Sequence, residues 1–111
     1  MNFVEGQGVL GKIRFSDGDF PEYDRTYLTV HVESDYIEIL VVSSIKGKEH
    51  KLAFPTNTSI KPYNPPFLKP SFVKLDSLTR VNKADWGLLR ILNGGRPLSS
   101  TELARIKNLM Q

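Results

Sequence analysis

Apolar and polar residues alternate over several short segments of the chain, which is the pattern of half-buried β-strands. Residues 25–33 are rich in β-branched and aromatic side chains, and residues 36–42 are almost entirely apolar. Because only Ser34 and Asp35 separate these two segments, they are predicted to form an antiparallel hairpin. Further strands are predicted at residues 9–15, 49–54 and 69–81, and residues 88–92 form either a last strand or a helical turn.

One α-helix is predicted, at the C-terminal end of the sequence. Ser99 followed by Glu102 has the spacing of a capping box, in which a side-chain oxygen accepts the backbone N–H three residues further on. An apolar stripe with helical spacing follows, made of Leu103, Ile106, Leu109 and Met110. Several short strands followed by one helix predict a mainly β (α+β) fold, namely a small antiparallel barrel with a C-terminal α-helix.

The chain is predicted to be a single domain. Residues 55–70 contain five of the seven prolines, so we expect a rigid extended connection over the surface rather than the start of a second domain. A length of 111 residues fits one domain spanning 1–111, in which residues 1–8 are predicted to be flexible.

Composition narrows the possible functions. The formal net charge of +3 suits a polyanionic partner without requiring one. The absence of cysteine excludes disulfides, thiolate zinc sites and cysteine nucleophiles, and His31 and His50 alone are too few for a histidine-rich metal site. We therefore expect no metal and no cofactor. No apolar run of about 18 residues is present, so no membrane span is expected, and a cytoplasmic location is predicted.

Two further features carry little functional signal. The acidic loop containing Asp17, Asp19, Glu22 and Asp24 lacks the spacing and the terminal glutamate of an EF-hand, so it is interpreted as a solvated turn. His31 alternates with apolar neighbours on a predicted strand and has no serine and acid in triad order, which argues against serine hydrolysis.

Arg25 is the residue most suited to chemistry. It begins the second predicted strand directly after the acidic loop, and its planar guanidinium is suited to a two-pronged contact with phosphate. If the hairpin forms, Ser43 and Ser44 come near it, beside a loop that carries Lys46 and Lys48. The structural alternative is that Arg25 pairs with Asp24 or Glu22 and that the serines only cap a turn, and the sequence leaves both interpretations open.

The order of these motifs resembles that of the MazF/PemK-like toxins of bacterial toxin–antitoxin systems. The resemblance covers about residues 8–110, and its most distinctive part is the run Lys-Pro-Ser-Phe-Val-Lys-Leu-Asp-Ser-Leu at residues 69–78. Gly-Lys-Ile at 11–13, Arg25, and Val-Val-Ser-Ser at 41–44 occupy the expected order. The resemblance implies an SH3-like, CcdB-like barrel, a homodimer, metal-free cleavage of single-stranded RNA, and inhibition by a cognate antitoxin protein.

The resemblance also implies roles for individual residues. Arg25 and Ser43 fall on the catalytic arginine and hydroxyl positions, and Ser44, Lys46, Lys48 and Asp76 are predicted to contact RNA. Thr26 stands where the family usually has proline. The alternatives are a non-catalytic CcdB-like toxin that binds a gyrase-type protein target, or an inactive barrel relative. Trp86 and residues 88–89 are candidates for an apolar contact surface between subunits.

Overall fold

A computed structural model describes residues 2–14 and 18–110 of the chain. Its seven strands and one α-helix are β1 (Gly8–Gly11), β2 (Arg25–Val32), β3 (Tyr36–Ser44), β4 (Asn57–Ser59), β5 (Ser71–Lys74), β6 (Thr79–Asn82), β7 (Leu89–Ile91) and α1 (Ser100–Leu109). Three 3₁₀ helices lie between them, at Glu49–Ala53, Lys83–Leu88 and Asn93–Gly95. None of the helices in this described part of the chain is long and apolar enough to cross a bilayer.

All seven strands belong to one antiparallel sheet. The strand order is β4-β5-β3-β2-β1-β7, and β6 pairs with β3 as well. The predicted hairpin of β2 and β3 is confirmed, and its turn is closed by the N–H of Glu33, which donates to the carbonyl oxygen of Tyr36 at 2.9 Å. The mainly β fold with a C-terminal helix is therefore confirmed.

Both faces of the central hairpin are buried, which explains why β3 is so apolar. Leu28 and Leu40 pack on the face covered by α1, where Ile106 is fully buried. Tyr27 and Ile39 pack on the opposite face. The described part of the chain thus has two apolar cores, one on each side of the same two strands.

The N-terminal segment and Trp86 close the second core. The rings of Phe3 and Trp86 meet edge to face with centroids 5.0 Å apart, and Trp86 is only 8% exposed. Its indole N–H donates to the carbonyl oxygen of Val81 at 3.1 Å. The prediction that Trp86 lies on a contact surface between subunits is therefore wrong, because the side chain fills the core. Leu89 is buried with it, and only Leu88 is exposed.

The predicted helix and its N-cap are confirmed. The Ser99 hydroxyl accepts the N–H of Glu102 at 3.2 Å. The side chain of Glu102 makes other contacts, accepting the backbone N–H of Lys61 at 2.7 Å and two guanidinium N–H groups of Arg105 at 2.7 Å each. Glu102 therefore ties α1 to the connection after β4. Only 5% of its surface is exposed, so its carboxylate is stabilised by these protein contacts rather than by water.

Residues 49–54, predicted as a strand, form a 3₁₀ helix at Glu49–Ala53, so that prediction is wrong. Gly47 adopts φ +80°, which turns the chain, and the N–H of Lys51 then bonds locally to the carbonyl oxygen of Lys48 at 2.9 Å. None of the five residues of this helix is buried, so an extended conformation would gain no packing. The strand β4 forms later, inside the predicted extended connection, and pairs with β5.

Residues 69–81, predicted as one strand, contain β5 and the start of β6, separated by a turn. The hydroxyl of Ser77 donates to the carbonyl oxygen of Lys74 at 2.6 Å and accepts the N–H of Val41 at 2.8 Å. Ser77 thereby supplies a hydrogen-bond acceptor to the backbone of β3. The bonded N–H lies between the part of β3 that pairs with β5 and the part that pairs with β6. Asp76 consequently lies in the turn and not on a strand.

Two strand ends also differ from the prediction. β1 ends at Gly11 rather than at residue 15, and Phe15 lies outside the described residues. A side chain at Gly11 would overlap the carbonyl oxygen of Leu88, so glycine is what allows β7 to come this close. β3 continues to Ser44, because its last three residues pair with β5.

Candidate functional site

The hairpin brings the two predicted catalytic residues together. Thr26 pairs with Val42, so the next residues along the two strands, Arg25 and Ser43, come opposite each other. Both line one open cavity of about 480 Å³. We call it the lysine cavity, and its polar and charged lining consists of Arg25, Ser43, Ser44, Lys48, Lys51 and Lys74 together with Tyr23, Asp24 and Thr26.

The three lysines reach this cavity from separate elements. Lys48 follows a turn in which its N–H donates to the carbonyl oxygen of Ile45 at 2.7 Å, and its ammonium donates to the Ser43 hydroxyl at 3.2 Å. Lys51 lies in the 3₁₀ helix after that turn, and Lys74 is the last residue of β5. The Ser43 hydroxyl is therefore held beside a positive charge.

The lysine cavity is strongly electropositive. Among the described residues, four cationic side chains and one carboxylate, that of Asp24, line it. Burial and the positive charges of Lys51, Arg25 and Lys48 lower the pKa of Lys74 below its ordinary value. Because these like charges repel one another, a bound anion would stabilise the charged form of Lys74. The arrangement is thus suited to a phosphate group.

Arg25 lies between the lysine cavity and a second one. This second cavity has a volume of about 570 Å³, and we call it the arginine cavity after Arg14, Arg25 and Arg80 in its lining. All three of these guanidinium groups lie over aromatic rings, Arg14 at 4.2 Å from the centroid of Phe20, Arg80 at 3.8 Å from that of Tyr36 and Arg25 at 5.5 Å from that of Tyr23. Basic cavities therefore lie on both sides of Arg25.

The other three residues discussed as RNA contacts lie in three different places. Ser44 lines the lysine cavity with Ser43, whereas Asp76 lines the arginine cavity. Lys46 is exposed in the turn after β3 and lines neither cavity. The roles of all three residues in RNA binding stay predictions.

Sequence reasoning missed Lys51 and Lys74 as site residues. Lys51 had been placed on a strand that does not form, which hid its position. Lys74 did carry a signal, since it alternates with the apolar Val73 and Leu75 next to the most distinctive motif. Its approach to Arg25 depends on the pairing of β5 with β3, which no local pattern shows.

His31 of β2 lines neither the lysine cavity nor the arginine cavity and lies among carboxylate groups. The ring nitrogens of His31 are 3.7 Å from a carboxylate oxygen of Glu5 and 2.9 Å from one of Glu33. Lys107 of α1 contacts the same Glu5 at 2.6 Å. This cluster joins the N-terminal segment to the helix. In residues 2–14 and 18–110 no group of three side chains is arranged to hold a metal ion.

No protein-family model matches the chain, and no curated protein matches it either. The functional assignment therefore depends on the chemistry of the lysine and arginine cavities and on the motifs described above.

Proposed function

We propose that this protein is a MazF/PemK-like toxin that cleaves single-stranded RNA without a metal ion. The observation that carries the proposal is the position of Arg25 opposite Ser43 in a cavity that also holds three lysines. Phosphate oxygens are the ligands that a guanidinium, ammonium groups and hydroxyls have in common. The proposed substrate is therefore a chain of phosphodiesters rather than a neutral molecule.

The arrangement of the two cavities supports a polymeric substrate. The lysine cavity and the arginine cavity meet at Arg25, so one phosphate can lie on Arg25 while its neighbours meet charges on both sides. Tyr23 is 63% exposed beside this junction, and its ring centroid is 5.5 Å from the Arg25 guanidinium. An exposed aromatic ring next to a phosphate contact is suited to stacking with an unpaired base.

The proposed reaction is an internal transesterification. The ribose 2′-oxygen attacks the adjacent phosphorus and loses its proton, while the bond from phosphorus to the 5′-oxygen breaks and that oxygen gains a proton. The products are a 2′,3′-cyclic phosphate and a free 5′-hydroxyl, and no water is consumed. Arg25 stabilises charge on the phosphoryl oxygens, and Ser43 donates a hydrogen bond to one of them. The carboxylates of Asp24 and Asp76 border the two cavities and provide acceptors for the 2′ proton.

The same proposal includes a finer description of the fold and its partners. We assign the sheet to the SH3-like, CcdB-like barrel class, because β3 pairs with β2 and also with both β5 and β6, and because apolar residues pack on both faces of the central hairpin. The proposed protein acts in the cytoplasm as a homodimer and is inhibited by a cognate antitoxin that covers the cationic cavities. An antitoxin with an acidic segment would match their charge.

A cleavage assay tests the function directly. Purified protein is incubated with a long unstructured RNA in excess chelator, and the ends of the products are analysed. We expect discrete fragments that carry 2′,3′-cyclic phosphate and 5′-hydroxyl ends. Intact RNA both in excess chelator and in added Mg²⁺ would reject the nuclease and favour the non-catalytic protein-binding toxin, for which inhibition of gyrase supercoiling is the next measurement. Cleavage that stops on addition of chelator would reject the metal-free mechanism.

Replacing Lys74 with methionine is expected to weaken RNA binding and to reduce its salt dependence. Methionine keeps an unbranched side chain of nearly the same length at the end of β5 but removes one charge from the lysine cavity. The slope of log affinity against log salt concentration should fall by about 1. Lys12→Met is the matched control, because Lys12 is exposed and lines neither cavity, so its slope should stay close to that of the unchanged protein. Equal slopes for both variants would contradict a phosphate contact at Lys74.

A further inference from the structure

A third cavity lies beside the lysine cavity and has a different character. Its volume is about 360 Å³, within the range of about 300–1,000 Å³ that is usual for small-molecule sites. We call it the apolar cavity, because Pro66, Phe67, Leu68 and Leu92 supply much of its wall. Phe67 is buried in the core, whereas Leu68 is 76% exposed at the rim.

The apolar cavity and the lysine cavity share a wall. Thr26, Val42, Ser43 and Ser44 line both of them. A molecule whose anionic group lies between Arg25 and Ser43 can therefore extend an apolar, planar part past the end of β3. A nucleotide has this combination of a charged phosphate and a flat base.

One polar side chain in the apolar cavity has an unused hydrogen-bonding group. Asn93 contributes to the wall, and its amide nitrogen is shielded from water with no hydrogen-bond partner among the described residues. Its amide oxygen makes only a long contact, 3.5 Å from a guanidinium nitrogen of Arg96. A buried donor without an acceptor is costly, and rotation of the Asn93 side chain toward a ligand that supplies the acceptor recovers that cost.

We propose that the apolar cavity holds the base of a nucleotide next to the scissile phosphate and that Asn93 selects this base by contacting its edge. The proposal rests on the nuclease function described above and adds a specificity site to it. A side-chain amide offers both a donor and an acceptor, which suits the edge of an unpaired base. Phe67, Leu68 and Leu92 exclude water from the base and fix its orientation.

A single-stranded RNA is favoured over other occupants by the neighbouring charge. An apolar side chain of a protein partner, or a second copy of this chain, could fill the same space, but neither requires the four cations on the other side of the shared wall. A polyanion with alternating phosphates and bases can place a phosphate in the lysine cavity and a base in the apolar cavity at the same time. The test therefore separates base selection from protein association.

The variants for the test are chosen to leave the fold intact. Asn93 has φ +52°, a left-handed conformation that glycine adopts without strain, so Asn93→Gly removes the amide and keeps the backbone. Leu68→Ala removes an exposed rim side chain. Leu109→Ala is the matched control, because Leu109 is an exposed leucine on α1 that does not line the apolar cavity.

The measurement is a binding selection with a randomised single-stranded 2′-fluoro RNA, which lacks the attacking hydroxyl, together with sequencing of the ends cut in a natural RNA. We expect the unchanged protein to prefer one base at one position by about tenfold, which is a typical discrimination for a fitted pocket. Asn93→Gly should lose most of that preference and Leu68→Ala should reduce it. Leu109→Ala should keep it.

The outcomes of these experiments distinguish the base site from the nuclease function. An unchanged base preference in both cavity variants would contradict the base site but would not contradict the nuclease function. If Leu68→Ala then also changed the oligomeric state on size-exclusion chromatography, the apolar cavity would be assigned to contact with a second copy of the chain. Binding with an Asn93-dependent preference but no cleavage of natural RNA would reject the nuclease and keep the base site. No binding to any oligonucleotide would reject both.

Discussion

Replacing Arg25 with alanine is expected to lower the rate of RNA cleavage by about 100- to 1,000-fold, the usual loss when one preorganised donor to a developing negative charge is removed. Arg25 lines both the lysine cavity and the arginine cavity, and among the described residues the only other one shared by the two linings is the apolar Val41, which has no hydrogen-bond donor in its side chain. The rate is measured with a fluorophore-labelled RNA in excess chelator. Arg25→Lys should recover only part of the activity, since an ammonium lacks the planar fork of a guanidinium.

The control for this prediction is Arg90→Ala. Arg90 lies on β7, is exposed and lines neither cavity, so the same loss of charge should leave the rate within about twofold of the starting value. The urea midpoint of each variant shows whether the fold is intact. Equal rates for Arg25→Ala and the unchanged protein would show that any nuclease activity arises elsewhere or from a contaminant.

Glu102→Ala is expected to lower the free energy of unfolding by about 2–3 kcal/mol, the cost of removing a buried charged acceptor and leaving a backbone donor unsatisfied. Its carboxylate accepts the N–H of Lys61 and two N–H groups of Arg105. Because the Arg105 side chain is 42% exposed, the ion pair contributes the smaller share. Urea unfolding measures the change, and Glu22→Ala, at an exposed glutamate of the first loop, should alter stability by less than about 0.5 kcal/mol.

The stabilisation by Glu102 is also expected to depend on pH. The hydrogen bonds from Arg105 hold the pKa of the Glu102 carboxyl below its ordinary value of 4.5. The contribution is therefore fully present above pH 4.5 and is lost as the pH falls through the lower pKa of the folded protein. The stability difference between the unchanged protein and Glu102→Gln should shrink when unfolding is measured well below pH 4.5 instead of near neutral pH. A difference that grows on acidification would contradict this role.

Local sequence patterns succeeded where the residues involved are close along the chain. The hairpin of β2 and β3 follows from two apolar segments and a short turn, and the start of α1 follows from Ser99 and Glu102, three residues apart. They failed at residues 49–54, where the pattern allows a strand but the turn at Gly47 and the lack of burial favour a 3₁₀ helix. They also missed the turn at Asp76, because Ser77 is stabilised there by a backbone group of β3, distant in sequence.

The residues of the candidate site also divide into those that local patterns predicted and those that only pairing between distant segments brings together. Arg25 and Ser43 were predicted from the order of motifs, and their closeness required only the hairpin. Lys51 and Lys74 join them through a 3₁₀ helix and through the pairing of β5 with β3. Strand pairing between distant segments depends on packing of both faces of the hairpin, and that packing is a property of the whole core.

By itself, the sequence determined that the chain forms a mainly β domain with a C-terminal helix, because alternation and capping are local consequences of strand and helix geometry. The order of motifs in the sequence also made Arg25 and Ser43 the candidates for phosphate chemistry, an assignment that stays a prediction. Tertiary contacts bring lysines from three further positions to these two residues and place an apolar cavity against the same wall, neither of which a local pattern shows. The physical reason is that charge density and cavity shape arise from contacts between segments distant in sequence, which the two buried faces of the central hairpin hold in place.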